Sequence, residues 1–198
     1  MIHAKENVNK RLLILDLDET LIHATTLKNR VDYDFCIFDY YVYKRPYLNT
    51  FLKEVNIFYH LAIWSSASDD YVHEIVQRIF PSEVSLQFVW GRSRCTPKRI
   101  SEIDEDDRYY FHDSFSHHFY TKQLKKIKRM GLQLEHVLIV DDSPEKVANA
   151  YGNAIYIKEF IGDSDDRELP ALLKYLVKIH QETNFRKIEK RNWKASVD

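Results

Sequence analysis

The chain has 198 residues, 30 of them acidic and 29 basic, with a formal net charge of −1 at neutral pH. That length supports one well-buried core, and the balanced charge offers no single-signed field to draw nucleic acid or a membrane surface. No apolar stretch reaches the ~20 residues that span a bilayer, and the polar segment Met1 to Lys10 lacks the apolar core of a signal peptide.

The apolar run Leu12-Leu13-Ile14-Leu15 reads as a buried parallel strand covering Arg11 to Asp16. It ends in Asp16-Leu17-Asp18-Glu19-Thr20, and the carboxyl ends of strands are where open α/β sheets bind ligands. Asp16 and Asp18 are two residues apart, so in extended backbone their side chains share a face. Two like charges there are costly unless a metal, a proton or a cationic substrate group offsets them. The same five residues also fit a strand followed by an Asx-type turn and helix cap.

Asp32 to Tyr43, rich in Tyr, Phe, Ile and Val, reads as a β-hairpin. Pro46 suits the first position of a helix running to about Glu54. Ile57 to Trp64 is a second apolar strand, ending in Ser65-Ser66-Ala67-Ser68, where Ser65 fits either a phosphate contact or an N-cap. Asp69-Asp70 place negative charge at the start of a helix through Phe80, and Leu86 to Trp90 reads as a further strand. Gly91 to His118 is the least regular stretch. It carries the acidic run Asp104-Glu105-Asp106-Asp107, read as a solvated turn, and the cluster Tyr109-Tyr110-Phe111.

Phe119 to Met130 reads as a helix with Lys122 near its head and Gly131 as its stop. The third apolar strand, Val137-Leu138-Ile139-Val140, ends in Asp141-Asp142-Ser143-Pro144. A helix beginning near Pro144, a short strand over Ala154 to Ile157 and a final helix from about Arg167 to Gln181 complete the α/β pattern. The basic tail, about 183–198, carries Phe185, Ile188 and Trp193 and reads as a surface helix with a charged face. Cys36 and Cys95, the only cysteines, lie far apart and suit a reducing, intracellular compartment, cytoplasmic or nuclear.

Three strands thus finish in acids or hydroxyls, with a lysine just ahead of the third. That is the parts list for Mg-dependent phosphoryl transfer. With Lys44-Arg45-Pro46, Ile63-Trp64-Ser65-Ser66-Ala67 and Tyr120-Thr121-Lys122-Gln123-Leu124 between the two acidic strand ends, the chain resembles the haloacid dehalogenase superfamily. Within it, the resemblance is to the aspartate-based protein phosphatases typified by the RNA polymerase II C-terminal-domain small phosphatases. Motifs in this order make the resemblance specific where one alone would be weak. It runs from about Leu12 to the helix near Ala171–His180.

The resemblance implies a Rossmann-like α/β fold, with a central parallel sheet flanked by helices and a short hairpin flap at about 24–43, in a single domain over 1–198. Asp16 is then the nucleophile that forms an aspartyl-phosphate, and Asp18 the general acid and base. Mg²⁺ is expected on Asp16, the backbone carbonyl of Asp18 and Asp142, with Asp141 acting directly or through water. Ser65 and the Ser66 amide are expected to hold phosphate oxygens, Lys122 to neutralise the phosphate, and Thr20 to tie the catalytic loop together through its backbone. Tyr71 and Arg92 match substrate contacts by offset, although Tyr71 also reads as a core aromatic and Arg92 as a surface cation.

The expected function is a Mg-dependent phosphatase for phosphoserine or phosphothreonine in a phosphoprotein or phosphopeptide, with neither nucleic acid nor a membrane as partner. A small-molecule or nucleic-acid phosphatase and an inactive binding module with the same fold are the alternatives.

Overall fold

A computed structural model describes residues 11–27, 32–99, 118–150 and 152–197. Its centre is a five-stranded parallel sheet in the order β10-β9-β1-β5-β6. The strands are β1 (Arg11–Leu15), β5 (Tyr59–Trp64), β6 (Leu86–Trp90), β9 (Val137–Asp141) and β10 (Ala154–Tyr156). Residues alternate between faces along each strand, so a strand covered on both sides is apolar throughout. Leu13, Leu15, Leu61, Ile63 and Val140 pack on one face, against α1 (Leu48–Phe58), α2 (Asp69–Ile79) and α4 (Glu168–Ile179). Leu12, Ile14, Ala62, Trp64 and Ile139 pack on the other, against Ile127 of α3 (Lys125–Arg129) and Val147.

The flap is a second sheet of three antiparallel strands, β2 (Ile22–Thr25), β4 (Tyr40–Lys44) and β3 (Phe35–Ile37). The expected hairpin is therefore β3–β4, and β2 adds a third strand directly after the acidic loop. Phe38, at the hairpin turn, has φ 48° and is 65% exposed.

Several element boundaries differ from the sequence expectation, each for a local reason. The first helix begins at Leu48 after Tyr47 at φ 67°, and continues to Phe58. Its buried positions, Leu48, Phe51, Leu52 and Val55, follow helical spacing, so Ile57 is an exposed helical residue rather than the start of β5. Lys122 does not head a helix. Phe119, Tyr120 and Thr121 have strand-forming side chains and belong to β8 (His118–Thr121), which pairs antiparallel with β7 (Thr96–Arg99). Only the short α3 follows. After Pro144 the chain forms a 3₁₀ stretch to Ala150, kinked at Val147.

The tail is not a surface helix. It makes two 3₁₀ turns, Phe185–Lys187 and Lys194–Ser196, with Phe185 fully buried and Trp193 nearly so. The gap from Ile188 to Trp193 is five residues, which breaks the three-or-four spacing that one helical face requires. Instead Trp193 Nε1 donates to Tyr156 O at 2.8 Å, and Lys190 Nζ donates to Phe185 O and Ile188 O at 2.6 and 2.8 Å. The acidic run 104–107 and the aromatics 109–111 lie outside the described residues.

One buried cation ties these layers to the acidic loop. Arg45, 1% exposed, donates from Nε and Nη2 to the two oxygens of Asp166 at 2.9 and 2.8 Å. Its Nη1 donates to Thr20 O at 2.9 Å and its Nη2 also to Lys158 O at 2.8 Å. The fork thus spans the loop after β1 and the two segments beyond β10.

Candidate active site

Asp16, Ser65 and the Asp141–Asp142 pair meet at the carboxyl ends of β1, β5 and β9, where the parallel order of the sheet brings three strand ends side by side. Asp16 is held in register by its own N–H, which donates to Val140 O at 3.1 Å. Its two carboxylate oxygens have unlike surroundings. Oδ1 accepts from Leu17 N at 2.8 Å and faces Lys122 Nζ at 2.8 Å. Oδ2 is buried with no hydrogen-bond donor, and Lys146 Nζ stands 3.9 Å from it.

Lys122 lies in the short link between β8 and α3, fully buried, and bridges Asp16 to Asp141 Oδ2, which it meets at 2.6 Å. Burial works against its charge, but the two carboxylates outweigh it and hold the ammonium above its ordinary pKa. Its N–H donates to Lys146 O at 2.7 Å, so the backbone links the two lysines of the site. Asp141 Oδ1 accepts from Ser143 N at 3.0 Å. Asp142 accepts from Thr20 Oγ1 at 3.2 Å and from Ser143 Oγ at 2.8 Å, and burial pushes its pKa up against the pull of Lys146.

Carboxylate oxygens of Asp16, Asp141 and Asp142 lie within 4.8 Å of one another. Together with the orphaned Asp16 Oδ2, this all-oxygen donor set fits Mg²⁺, a hard cation that binds through one or two carboxylates and keeps waters. The side chain of Asp18 is not part of that trio. It turns to α2, where Tyr71 OH donates to Oδ1 at 2.6 Å, and Ser65 Oγ approaches Oδ2 at 3.5 Å. Burial, then the charge of Glu19, pushes the Asp18 pKa up to about 7 against the Tyr71 hydrogen bond. The chain reverses directly after Asp18 through Glu19 at φ 57°, and the N–H groups of Thr20, Leu21 and Ile22 all donate to Leu17 O.

The remaining expected residues are distributed as follows. Ser65 is buried and its Oγ accepts from Ala67 N at 3.0 Å, while Ser68, not Ser65, is the N-cap position of α2. Tyr71 is both a buried helix-face aromatic and a neighbour of the acidic loop. Arg92 is exposed; its Nε donates to Ser66 O at 2.9 Å and its guanidinium lies 5.0 Å from the centre of the Tyr120 ring. Thr20 is fully buried with its hydroxyl on the Asp142 side chain rather than on loop backbone.

Sequence reasoning missed Lys146. Its pKa is held well above the ordinary value: burial opposes the charge, but Asp16, Asp141, Asp142 and Asp18 together prevail. The one available signal was its place two residues after Pro144, where a tight turn folds the chain back over the end of β9.

The fold and these residues define a phosphatase-type α/β domain, and comparison with known proteins agrees. The family model described as NLI interacting factor-like phosphatase matches residues 11–186, and the chain belongs to that family. Nuclear envelope morphology protein 1 of Saccharomyces cerevisiae is 30% identical over 195 residues, covering 90% of this chain and 41% of the yeast protein. The Drosophila melanogaster CTD nuclear envelope phosphatase 1 homolog is 27% identical over 205 residues, covering 96% of this chain and 76% of the fly protein. Among solved structures, Fcp1, an essential RNA polymerase II CTD phosphatase, superposes with a TM-score of 0.64 at 19% identity, over 86% of this chain and 62% of that one. The last likeness speaks for the fold.

Proposed function

We propose that the protein hydrolyses phosphomonoesters through an aspartyl-phosphate on Asp16, acting on phosphoserine or phosphothreonine in proteins. The observation that carries this reading is the asymmetry of Asp16. One oxygen is pinned by Lys122 and a backbone N–H, and the other is buried and left without a donor beside two further carboxylates. A fixed, partly uncompensated carboxylate at a strand end is a nucleophile held in place for in-line attack.

In the first step a carboxylate oxygen of Asp16 bonds to phosphorus while the bond to the serine or threonine oxygen breaks, and Asp18 gives that oxygen its proton. In the second, water attacks the same phosphorus and gives a proton back to Asp18. The Asp16–phosphorus bond breaks and inorganic phosphate leaves. Tyr71 orients the Asp18 carboxyl, and Lys122 offsets charge near Asp16 throughout. Asp16, Asp142, Asp141 and the Asp18 carbonyl would hold Mg²⁺, whose part is to neutralise phosphate charge. Ser65, with the Ser66 amide, binds a non-bridging oxygen, and Thr20 steadies Asp142.

Kinship supports a protein substrate, since the fly relative is named as a CTD nuclear envelope phosphatase and Fcp1 as a CTD phosphatase. The exposed flap residues Phe38 and Tyr40, with Tyr40 5.8 Å from Tyr71, give a peptide apolar surface beside the acidic loop. By the same kinship we infer work at the nuclear envelope; among the described residues no helix is long and apolar enough to cross a membrane. The test is turnover of an aryl phosphate and of phosphoserine peptides by wild type and Asp16→Asn, with beryllium fluoride trapping on the wild type. Labelled phosphate recovered on a residue other than Asp16 overturns the mechanism. No turnover of any phosphomonoester by the Mg²⁺-loaded wild type returns the protein to the inactive binding-module reading.

A further inference from the structure

The near-neutral chain hides a local imbalance. Val84 to Arg99 and His118 to Leu134 contain no acidic residue. Strand pairing joins the two segments, with Thr96–Arg99 against His118–Thr121, and Lys126 Nζ staples them by donating to Arg94 O at 2.7 Å and Cys95 O at 3.1 Å. Arg92, Arg94 and Arg99 on one segment and Lys125, Lys128 and Arg129 on the other are exposed. The guanidinium of Arg94 lies 4.5 Å from the centre of the Trp90 ring, which holds it at the surface rather than free in solvent. Burial lowers the pKa of Lys126, and the neighbouring cations Arg94, Lys125 and Arg129 add to the shift, as expected where like charges crowd. Asp69 reaches this segment from α2, and its oxygens are taken up by Ser93 N and Ser93 Oγ.

The patch is also placed against the site. Arg92 at one end donates to Ser66 O, next to the buried Ser65 and the Asp18 carboxyl, and α3 at the other end follows directly from Lys122. The patch therefore begins at the Ser65–Ser66 rim of the site and continues to α3. Resting on the phosphatase reading above, we propose that this basic face recognises an acidic or multiply phosphorylated stretch flanking the phosphoserine that is hydrolysed. Surface cations contribute little one at a time, but several along one extended anionic chain act together and speed its encounter. Selectivity then comes from the substrate's charge at a distance from the reacting atom, which raises kcat/KM without altering the chemistry.

The experiment compares two peptides with the same central phosphoserine, one flanked by glutamates and one by glutamines, on wild type and on the triple variant Lys125→Glu, Lys128→Glu, Arg129→Glu. Wild type should prefer the acidic peptide by roughly tenfold or more in kcat/KM, the preference shrinking as salt is raised. The variant should lose the preference while turning over a small aryl phosphate at the wild-type rate. Should the glutamate variant fail to fold, the matching glutamine variant gives the same comparison with a smaller loss.

Equal use of both peptides by wild type overturns the proposal, including the case in which acidic residues elsewhere in the chain already cover the face. So does a variant that keeps the preference, or one that loses binding to anionic vesicles while its peptide preference is intact. Fluorescence anisotropy of the two peptides reads the patch without catalysis. If nothing is hydrolysed yet the acidic peptide binds wild type more tightly than the variant, the phosphatase reading fails and the patch stands.

Discussion

Asp16 and Asp18 sit in one loop but face different neighbours, and their substitutions should fail in different ways. Asp16→Asn keeps shape but replaces the proposed nucleophile by an amide, so hydrolysis should be abolished in a protein whose circular dichroism is unchanged. Asp18→Asn keeps the backbone carbonyl and removes the transferable proton, so the chemical rate should fall ~10²–10⁴-fold. The deficit should be smaller for an aryl phosphate, whose leaving group needs less protonation, than for a phosphoserine peptide. Equal deficits on both would exclude Asp18 as the proton donor. Lys146 adds a third case. As a second ammonium near the open oxygen of Asp16 it repels any cation arriving there. Lys146→Met should therefore tighten Mg²⁺ binding, on the order of tenfold by calorimetry. Unchanged affinity would mean that its charge is spent elsewhere. The convergence of Asp16, Ser65 and Asp142 was legible because each follows an apolar strand. Lys146 and the Tyr71–Asp18 bond were not, since they depend on how a 3₁₀ turn and a helix face happen to lie over strand ends.

At the scale of elements, continuous apolar runs marked β1, β5 and β9 well, and the acidic pair Asp69-Asp70 marked the start of α2. Ambiguity arose where one apolar run serves two elements, as Ile57-Phe58-Tyr59 does across the end of α1 and the start of β5. It also arose where pairing with a distant segment decides, as Thr96–Arg99 does for β8. The tail is the largest such case. Its apolar residues were visible, but not that they leave the surface to meet α4 and β10 beyond residue 186, where the family match ends. Trp193, 4% exposed, stacks obliquely on Tyr175 with ring centres 5.6 Å apart. Trp193→Ala should cost ~3–5 kcal/mol in urea unfolding, the range for deleting a buried aromatic. A loss below about 1 kcal/mol, the usual range of surface changes, would show that the tail is a peripheral wrap.

For the molecule as a whole, the Arg45–Asp166 pair joins the acidic loop to the segment between β10 and α4, so stability and activity should be coupled through it. Arg45 is fully buried and Asp166 nearly so, and removing one partner leaves an uncompensated charge inside the protein. Asp166→Asn should destabilise the fold by ~3–5 kcal/mol at neutral pH. It should also lower kcat/KM, because the fork that holds Thr20 O loosens and Thr20 in turn positions Asp142. Burial resists ionisation of Asp166, but hydrogen bonds from the Arg45 guanidinium and Glu168 N outweigh it and hold its pKa below the ordinary carboxylate value. A carboxylate whose folded pKa is depressed stabilises fully above its unfolded pKa of about 3.9, and that stabilisation is lost as pH falls through the lower folded value. The gap in unfolding free energy between wild type and Asp166→Asn should therefore stay constant from neutral pH down to about 4.5 and narrow progressively below about 4. A gap that narrowed already between pH 7 and 5 would assign the loss to another group, since Asp166 remains ionised in both states throughout that window.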